Sequence, residues 1–554
     1  MKSTPLQRLT GLLKVDRKDV TQIILYAVFA GLVSLSLPLG IQAIINLIQS
    51  GQVSASWILL VVIVVFGVAL GGVLSVMQLR ITENLQQKIF IRSSFEFSYR
   101  LPKIKFEALY NTYPPELANR FFDTLTIQKG TSKLLIDFSS ALLQIIFGII
   151  LLSLYHPFFI LFGLLLLFML YAIFRFSYHK GLDTSLKESK YKYKVVGWLQ
   201  EIARNSISFR RRENFDFALD KNDHLVKEYL VNREKHFNVI KRQYIQLIGF
   251  KILITASLLI IGGFLVISRE MNIGQFVAAE IIILLVINSV EKVILGLETF
   301  YDVLTSVEKI AHVVELDTEK METKEPEFCY TNIQIVTDHL CFKFPGESDP
   351  VLSNINLTIN PGEKIYLDGR NGSGKSTLIR ILSGLMQPTT GSFSINDDTY
   401  RKVDINQFRL HIGTILHDET PFEGTILENI TFKNAHVSDE QVKWAIDSVG
   451  LGSFIKSLPE GLDTMIYPEG RQLSSSNAQK ILLARSIVTQ PKILFYEDPL
   501  DKMDDDAALK IIDFLTDSKH PWTLIVTSKN PYWKQKCNRI IQITEGKISN
   551  DITQ

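Results

Sequence analysis

Cysteine is scarce in this 554-residue chain: Cys329, Cys341 and Cys537 are the full set, all in the C-terminal part and at spacings that match no metal motif. A disulfide framework is excluded, and a reduced, cytosolic setting is expected for that part. Neither sign of charge dominates, since 59 Lys and Arg face 57 Asp and Glu for a net charge of +2. No overall basic excess therefore argues for nucleic acid as a partner, and none is expected. The opening Met1-Lys-Ser-Thr-Pro-Leu6 lacks the basic start, short apolar run and small-residue cleavage site of a secretory signal. The first long apolar run is thus expected to be retained, and with no peptidase-like segment ahead of it, processing of a peptide by this chain is not expected. Internal repeats and low-complexity segments are also missing.

What the chain has is apolar length. Hydrophobic residues make up 47% of it, and nearly all the long runs fall in the first three hundred residues. About 20 mostly apolar residues cross a bilayer core, and six stretches qualify: Ile23 to Leu47, Trp57 to Val76, Leu134 to Leu154, Phe158 to Phe174, Ile248 to Ile267, and Phe276 to Leu297. Ahead of them, residues 1–20 read as an interfacial helix, with Leu6, Leu9, Leu12 and Leu13 on one side and Arg8, Lys14 and Lys18 elsewhere. Lys and Arg concentrate in 78–133 and 178–242, including Arg210-Arg211-Arg212, whereas the opposite connections carry only Arg269. The basic segments and both termini are therefore expected on the cytosolic side. Apolar residues recur at helical spacing through Leu85, Ile89, Ile91 and Phe95, and again through Leu225, Tyr229, Val231 and Phe237, so the spans are expected to continue as cytosolic stalks. Two stretches at the stalk turns, Pro114 to Phe122 and Trp198 to Arg204, suit short helices that dock onto another domain. In the last span Glu291 and Lys292 mark emergence from the membrane. Glu280 lies deeper, where an ionisable group either lines a substrate path or pairs with another helix. Pro38 is expected to kink the first span.

The charged stretch 316–331 has no apolar periodicity and reads as a linker between a membrane domain over 21–315 and a second domain over 332–554. Beyond it, buried-strand runs (Ile355 to Ile359, Lys364 to Leu367, Ile493 to Tyr496, Thr523 to Val526) alternate with helical ones, as in a layered α/β domain with a largely parallel sheet. Gly369-Arg370-Asn371-Gly372-Ser373-Gly374-Lys375-Ser376, followed by Thr377, fits the G-x-x-x-x-G-K-[ST] phosphate loop at every fixed position and sits between a strand and a helix. Its glycines let successive backbone N–H groups turn to one anion, and the helix adds the positive end of its dipole. Lys375 is expected to neutralise the outer phosphates and Ser376 to ligate Mg²⁺. Nucleoside triphosphate binding follows.

With that loop, the series Phe342-Lys-Phe344-Pro345, Gly424-Thr-Ile-Leu-Glu-Asn-Ile430, Leu458-Pro-Glu-Gly-Leu-Asp-Thr464 and Glu469-Gly-Arg-Gln-Leu-Ser474 resembles the ABC transporter superfamily over nearly the whole chain. The order of domains looks like a half-size exporter. The resemblance implies an all-α type I exporter membrane domain plus an α/β P-loop NTPase domain, with ATP and Mg as ligands and Phe344 stacking on adenine. It also implies that the stalk-turn helices couple the two domains. Departures from the family pattern bear on catalysis. The usual Leu-Ser-Gly-Gly-Gln signature reads Leu473-Ser474-Ser475-Ser476-Asn477. The Asp-Glu pair appears as Glu497-Asp498, the loop glutamine as His417 and the switch histidine as Ser528. Glu497 is expected to help hold Mg²⁺ through water, beside Ser376 and His417. As general base, Asp498 is one methylene short of a reach of about 2.6 to 3.2 Å to the proton, which costs on the order of 10²-fold. Losing positioning groups slows phosphoryl transfer more than it weakens binding. The expectation is therefore a subunit that binds ATP and hydrolyses it slowly at its own site, within an exporter working by alternating access.

Such a subunit works as a dimer, because Ser474 and Ser476 of one chain would complete the phosphate site of another. A heterodimer is somewhat favoured over a homodimer, since it would share out the altered residues. The alternative function is a pseudo-ATPase membrane subunit that regulates a partner transporter or pore. The family further suggests a bacterial inner membrane and bacterial secretion partners.

Overall fold

The computed structural model describes residues 4–49, 55–110, 112–319, 332–396, 398–400 and 403–554. Most of the expected linker, 320–331, lies outside the described residues. The chain divides into two compact units, one of residues 1–102 and 113–316 and the other of residues 103–112 and 317–554.

The first unit is helical. It contains α1 (Pro5–Val15), α2 (Arg17–Ser34), α3 (Ser36–Gln49) and α4 (Ala55–Arg100); α5 (Phe106–Leu109) belongs to the second unit, and the first resumes with α6 (Pro114–Asn119), α7 (Asp123–Tyr155), α8 (Phe158–Arg204), α9 (Arg212–Ser257), α10 (Gly263–Ile267) and α11 (Ile273–Val314). Among the described residues six helical spans are long and apolar enough to cross a membrane, matching the six read from sequence. At 1.5 Å per residue the 46 residues of α4 reach about 70 Å, more than twice a hydrocarbon core, so the extra length forms a stalk.

α1 starts with a reciprocal cap between Thr4 and Gln7. It is tied to α11 by ion pairs from Arg8 to Glu308 and Glu315. The first span breaks at Leu35: Pro38 cannot donate to the carbonyl of Ser34 and its ring crowds that turn, so α2 ends and α3 begins there. Between α9 and α10 lies a single π turn, Leu258–Gly262. Half of the most apolar window of α11 is buried, against 11% for that of α4, so the other helices pack around α11 while α4 turns apolar side chains outward. The seam between α7 and α11 is close because it uses glycine. A Cβ on Gly130 would stand 2.4 Å from Val303, one on Gly148 2.5 Å from Val286, and one on Gly296 2.3 Å from Phe138. Glu291 pairs with Lys251 of α9 at 3.5 Å, and Glu280 is half-buried.

The second unit has strands β1 (Ile335–Phe342), β2 (Leu352–Ile359), β3 (Lys364–Asp368), β4 (Thr390–Ile395), β5 (Asp398–Thr399), β6 (Ile412–Ile415), β7 (Gly424–Thr425), β8 (Met465–Ile466), β9 (Ile493–Glu497), β10 (Thr523–Thr527), β11 (Arg539–Thr544) and β12 (Lys547–Thr553). Six of them form a sheet in the order β12-β11-β3-β10-β9-β6, parallel except for the β11–β12 edge. The continuous apolar runs of β9 and β10 are buried at every position, as a covered parallel sheet requires. A second, antiparallel sheet has the order β2-β1-β4-β5. Helix α12 (Lys375–Leu382) leads from β3, α13 (Ile405–Arg409) precedes β6, and α14 (Ile426–Thr431), α15 (Asp439–Ser448) and α16 (Gly452–Ser457) stand before α17 (Ser475–Ile487); α18 (Asp505–Thr516) and α19 (Tyr532–Lys536) complete the unit.

One division differs from the sequence reading. Residues 103–112, ahead of the expected docking stretch 114–122, are the part of that turn that belongs with the second unit. Ile104 bridges Thr318 in β fashion, the amide of Lys105 donates to Asp317 O at 2.9 Å, and Phe106 packs on the apolar core beside β3 and α12.

Candidate functional site

The phosphate loop turns out of the carboxyl end of β3, where a parallel sheet leaves a crevice. Gly369 has φ +148° and a Cβ there would stand 2.3 Å from Ile543 O; Gly374 has φ +102° and a Cβ would stand 2.6 Å from Leu352. Both backbone and space therefore demand glycine. Arg370, Asn371, Gly372 and Ser376 are exposed, whereas Ser373 and Thr377 are buried. Lys375 Nζ donates to Gly369 O at 2.7 Å and to Arg370 O at 2.9 Å, so the ammonium lies across the mouth of its own loop. Burial lowers its pKa, and Asp368 and Asp498 oppose that shift. Ser373 Oγ is buried without a hydrogen-bond partner, leaving a donor free inside the cradle. A loop of this build fits a polyphosphate.

At the end of β9, two strands away, stand Glu497 and Asp498. Glu497 is 4% exposed. Its Oε2 accepts from the amide of His417 at 3.4 Å, and its Oε1 lies 3.6 Å from Arg380 Nε, too far for a hydrogen bond. Burial raises the carboxyl pKa, with Arg380 as the main opposing charge. Arg380, one turn along α12 from Lys375, also pairs with Asp418 at 2.9 Å. Asp498 has φ +44°. Its amide donates to Thr527 O at 2.8 Å and its Oδ1 accepts from the amide of Lys529 at 3.1 Å. Ser528 lies in the same turn, with Oγ accepting from Asn530 N at 3.2 Å and its carbonyl from Tyr366 OH at 2.7 Å. The structure thus brings Lys375, His417, Glu497, Asp498 and Ser528 to one end of the sheet.

A cleft of about 280 Å³ beside them is lined by His417, Gly470, Ser475, Gln479, Glu497 and Asp498 among others. Ser474 caps α17, its Oγ accepting from Asn477 N at 3.2 Å. Ser474 is exposed and Ser476 half-exposed, and among the described residues no hydrogen bond ties either to the phosphate loop of the same chain. The Gly424 to Ile430 motif has a structural reason: Thr425 and Glu428 cap α14 reciprocally, and buried Asn429 holds both main-chain groups of Phe422. Arg485 of α17 reaches Asn429 at 2.8 Å and stands over the rings of Phe422 and Phe432.

Phe344 is half-buried, with Tyr110 stacked on it at 4.5 Å. Sequence reasoning missed three residues of this neighbourhood: Tyr110, Arg380 and Gln479. Gln479 donates to Asp498 O at 3.2 Å and Asp501 Oδ1 at 2.6 Å, and accepts from Lys502 N at 3.1 Å, locking α17 to the turn after β9. Its position a turn beyond the signature serine was the available signal.

Six spanning helices joined to a domain that brings a phosphate loop and two carboxylates to one end of a parallel sheet define a membrane protein with its own nucleotide-binding domain. Known proteins agree. The ABC transporter transmembrane region matches residues 20–290 and the ABC transporter ATP-binding model matches 352–501. Between them these take in most of the chain, which belongs to the ABC transporters and is an integral multi-pass membrane protein. The alpha-hemolysin translocation ATP-binding protein HlyB of Escherichia coli O157:H7 is 32% identical over 314 residues, 56% of this chain and 44% of that protein. The exotoxin translocation ATP-binding protein PaxB of Pasteurella aerogenes is 30% identical over 311 residues, 56% of this chain and 43% of that protein. The aligned part therefore spans less than half the length of these curated relatives. A bacterial Atm1-family ABC exporter with ATP bound has the same fold over 97% of this chain and 95% of its own, with a TM-score of 0.80 at 17% identity.

Proposed function

We propose that this chain is an ATP-driven half-exporter: ATP held by the phosphate loop closes the nucleotide domains, and the stalks convert closure into a change of access across the membrane. The observation that carries this reading is the grouping of Lys375, Glu497 and Asp498 at one end of a sheet, in a chain that also supplies six spans. Matches running through both the membrane and the ATP-binding parts favour transport over a purely regulatory role. Mg²⁺ accompanies the nucleotide. Among the described residues no cluster of three or more His, Cys, Asp or Glu forms a cage, which suits an ion held by Ser376, by Glu497 through water and by the substrate's phosphates. His417, whose amide donates to Glu497, stands beside the ion with Ser376 and Glu497.

Hydrolysis at the chain's own site is slow on this reading, because the short carboxylate of Asp498 is already engaged by the amide of Lys529 and Ser528 stands where a longer side chain would reach phosphate. Exposed Ser474 and half-exposed Ser476 complete the site of a second half-transporter, and since both faces of this chain's site are altered, a partner with unaltered motifs is favoured. The likeness to toxin-translocation proteins favours polypeptide cargo, secretion partners and a bacterial inner membrane. The test is ATP turnover by the full chain in lipid, with nucleotide binding followed in parallel. Lys375→Ala is expected to abolish turnover and weaken binding by tenfold or more; binding unchanged by that substitution would sink the reading.

A further inference from the structure

Tyr110, in the loop between α4 and α6, rests on the residue to which adenine stacking falls. The rings of Tyr110 and Phe344 are 4.5 Å apart with planes 16° from parallel, a face-to-face stack. Phe342, almost fully buried, meets Phe344 at 5.0 Å and 89° from another side. The loop that carries Tyr110 is seated at several points. Ile104 bridges Thr318, Glu107 accepts from the amide of Gln387 at 2.9 Å, and Phe106 lies under the guanidinium of Arg380 at 5.3 Å. Tyr110 itself is 42% exposed, so part of its ring already faces water beside the stack on Phe344.

We propose that Tyr110 is a specificity-determining residue of the nucleotide site: its phenol ring covers the face of Phe344 that the base of the nucleotide takes, and a base must displace it to bind. This rests on the ATP reading above. A base and a tyrosine compete for one aromatic face with similar strength. Purines, with the larger ring system, win the exchange, while a pyrimidine nucleotide gains too little, so Tyr110 sharpens the preference for a purine. The same loop touches Arg380, which faces Glu497, so the base and the carboxylate end of the site are both felt by one loop whose ends run into α4 and α6.

The test uses the full chain in lipid and measures binding of a fluorescent ATP analogue with ATP and CTP as competitors. Tyr110→Ala is expected to tighten ATP by about 2- to 10-fold, the worth of one aromatic pair, and to tighten CTP by more, narrowing the purine preference. Phe344→Ala is expected to weaken ATP, and adding Tyr110→Ala to it is expected to change nothing further. Tyr110→Phe keeps the stack and should bind like the parent; Tyr110→Leu replaces the Ala variant if that fails to fold. Weaker ATP binding in Tyr110→Ala would make Tyr110 a wall of the site instead of a competitor, and unchanged binding would remove it from the site; either overturns the proposal. Lys375→Ala in the same assay separates the two readings, because binding indifferent to it defeats the ATP reading itself and not merely the role of Tyr110.

Discussion

Asp498 shows how much one methylene can decide. Its left-handed backbone, φ +44°, and the bond from the amide of Lys529 fix the carboxylate against the turn after β10, so the side chain cannot extend to recover the missing length. Asp498→Glu restores that length and is expected to raise ATP turnover about tenfold or more in lipid, with nucleotide affinity nearly unchanged; lower turnover would show that the turn cannot accept the longer acid. That Lys375, Glu497, Asp498 and Ser528 belong near one another was legible in the sequence because each motif has fixed spacing. Arg380 and Gln479 were not, because their roles come from what they touch across the sheet. Lys364 is a third residue of that kind. It is 5% exposed, with Nζ donating to the carbonyls of His520 and Trp522, and burial brings its pKa down to about 8. Between that value and the ordinary lysine value the unfolded chain holds the extra proton, so stability rises with pH from about 8 upward. Lys364→Met is expected to remove that rise, as read from denaturation midpoints of the full chain between pH 7 and 10.

Among the elements, α7 and α11 form the seam on which the first unit depends. Gly296 faces Phe138 and Gly130 faces Val303 with no room for a Cβ. Gly296→Ala is expected to cost about 1–3 kcal/mol through forced repacking, seen as a lower thermal midpoint in lipid. Gly72, where a Cβ meets open space, is the matched control and should tolerate alanine. The six spans were readable from length and hydropathy, and the break at Leu35 from Pro38, because both signals are local. That residues 103–112 group with the second unit was not legible in the sequence, for a physical reason. Pro114-Pro115 gives a strong helix start, whereas α5 has four residues, too few for any periodicity, and the loop around it is held by a bridge from Ile104 to Thr318, more than two hundred residues away.

For the whole molecule, the arrangement of α17 is the point on which assembly turns. Among the described residues its capping serine is exposed and bonded only within its own first turn, which suits the proposed phosphate site shared with another chain. Two copies of this chain would then build two sites with the same altered residues on both faces. A partner with unaltered motifs would give each site one sound face, which is the assembly proposed. Mixing distinguishes them. On the Asp498→Glu background, a chain with Lys375→Ala and a chain with Ser474→Arg are each inactive alone. If copies pair, a random mixture places half the particles as mixed dimers with one sound site of two, and turnover recovers to about a quarter of the background. Pairing with a different half-transporter predicts no recovery, because the background chain then turns over ATP only beside that partner, and that is the expected result. A quarter recovered would instead make this chain its own partner and leave the altered signature to act in both sites at once.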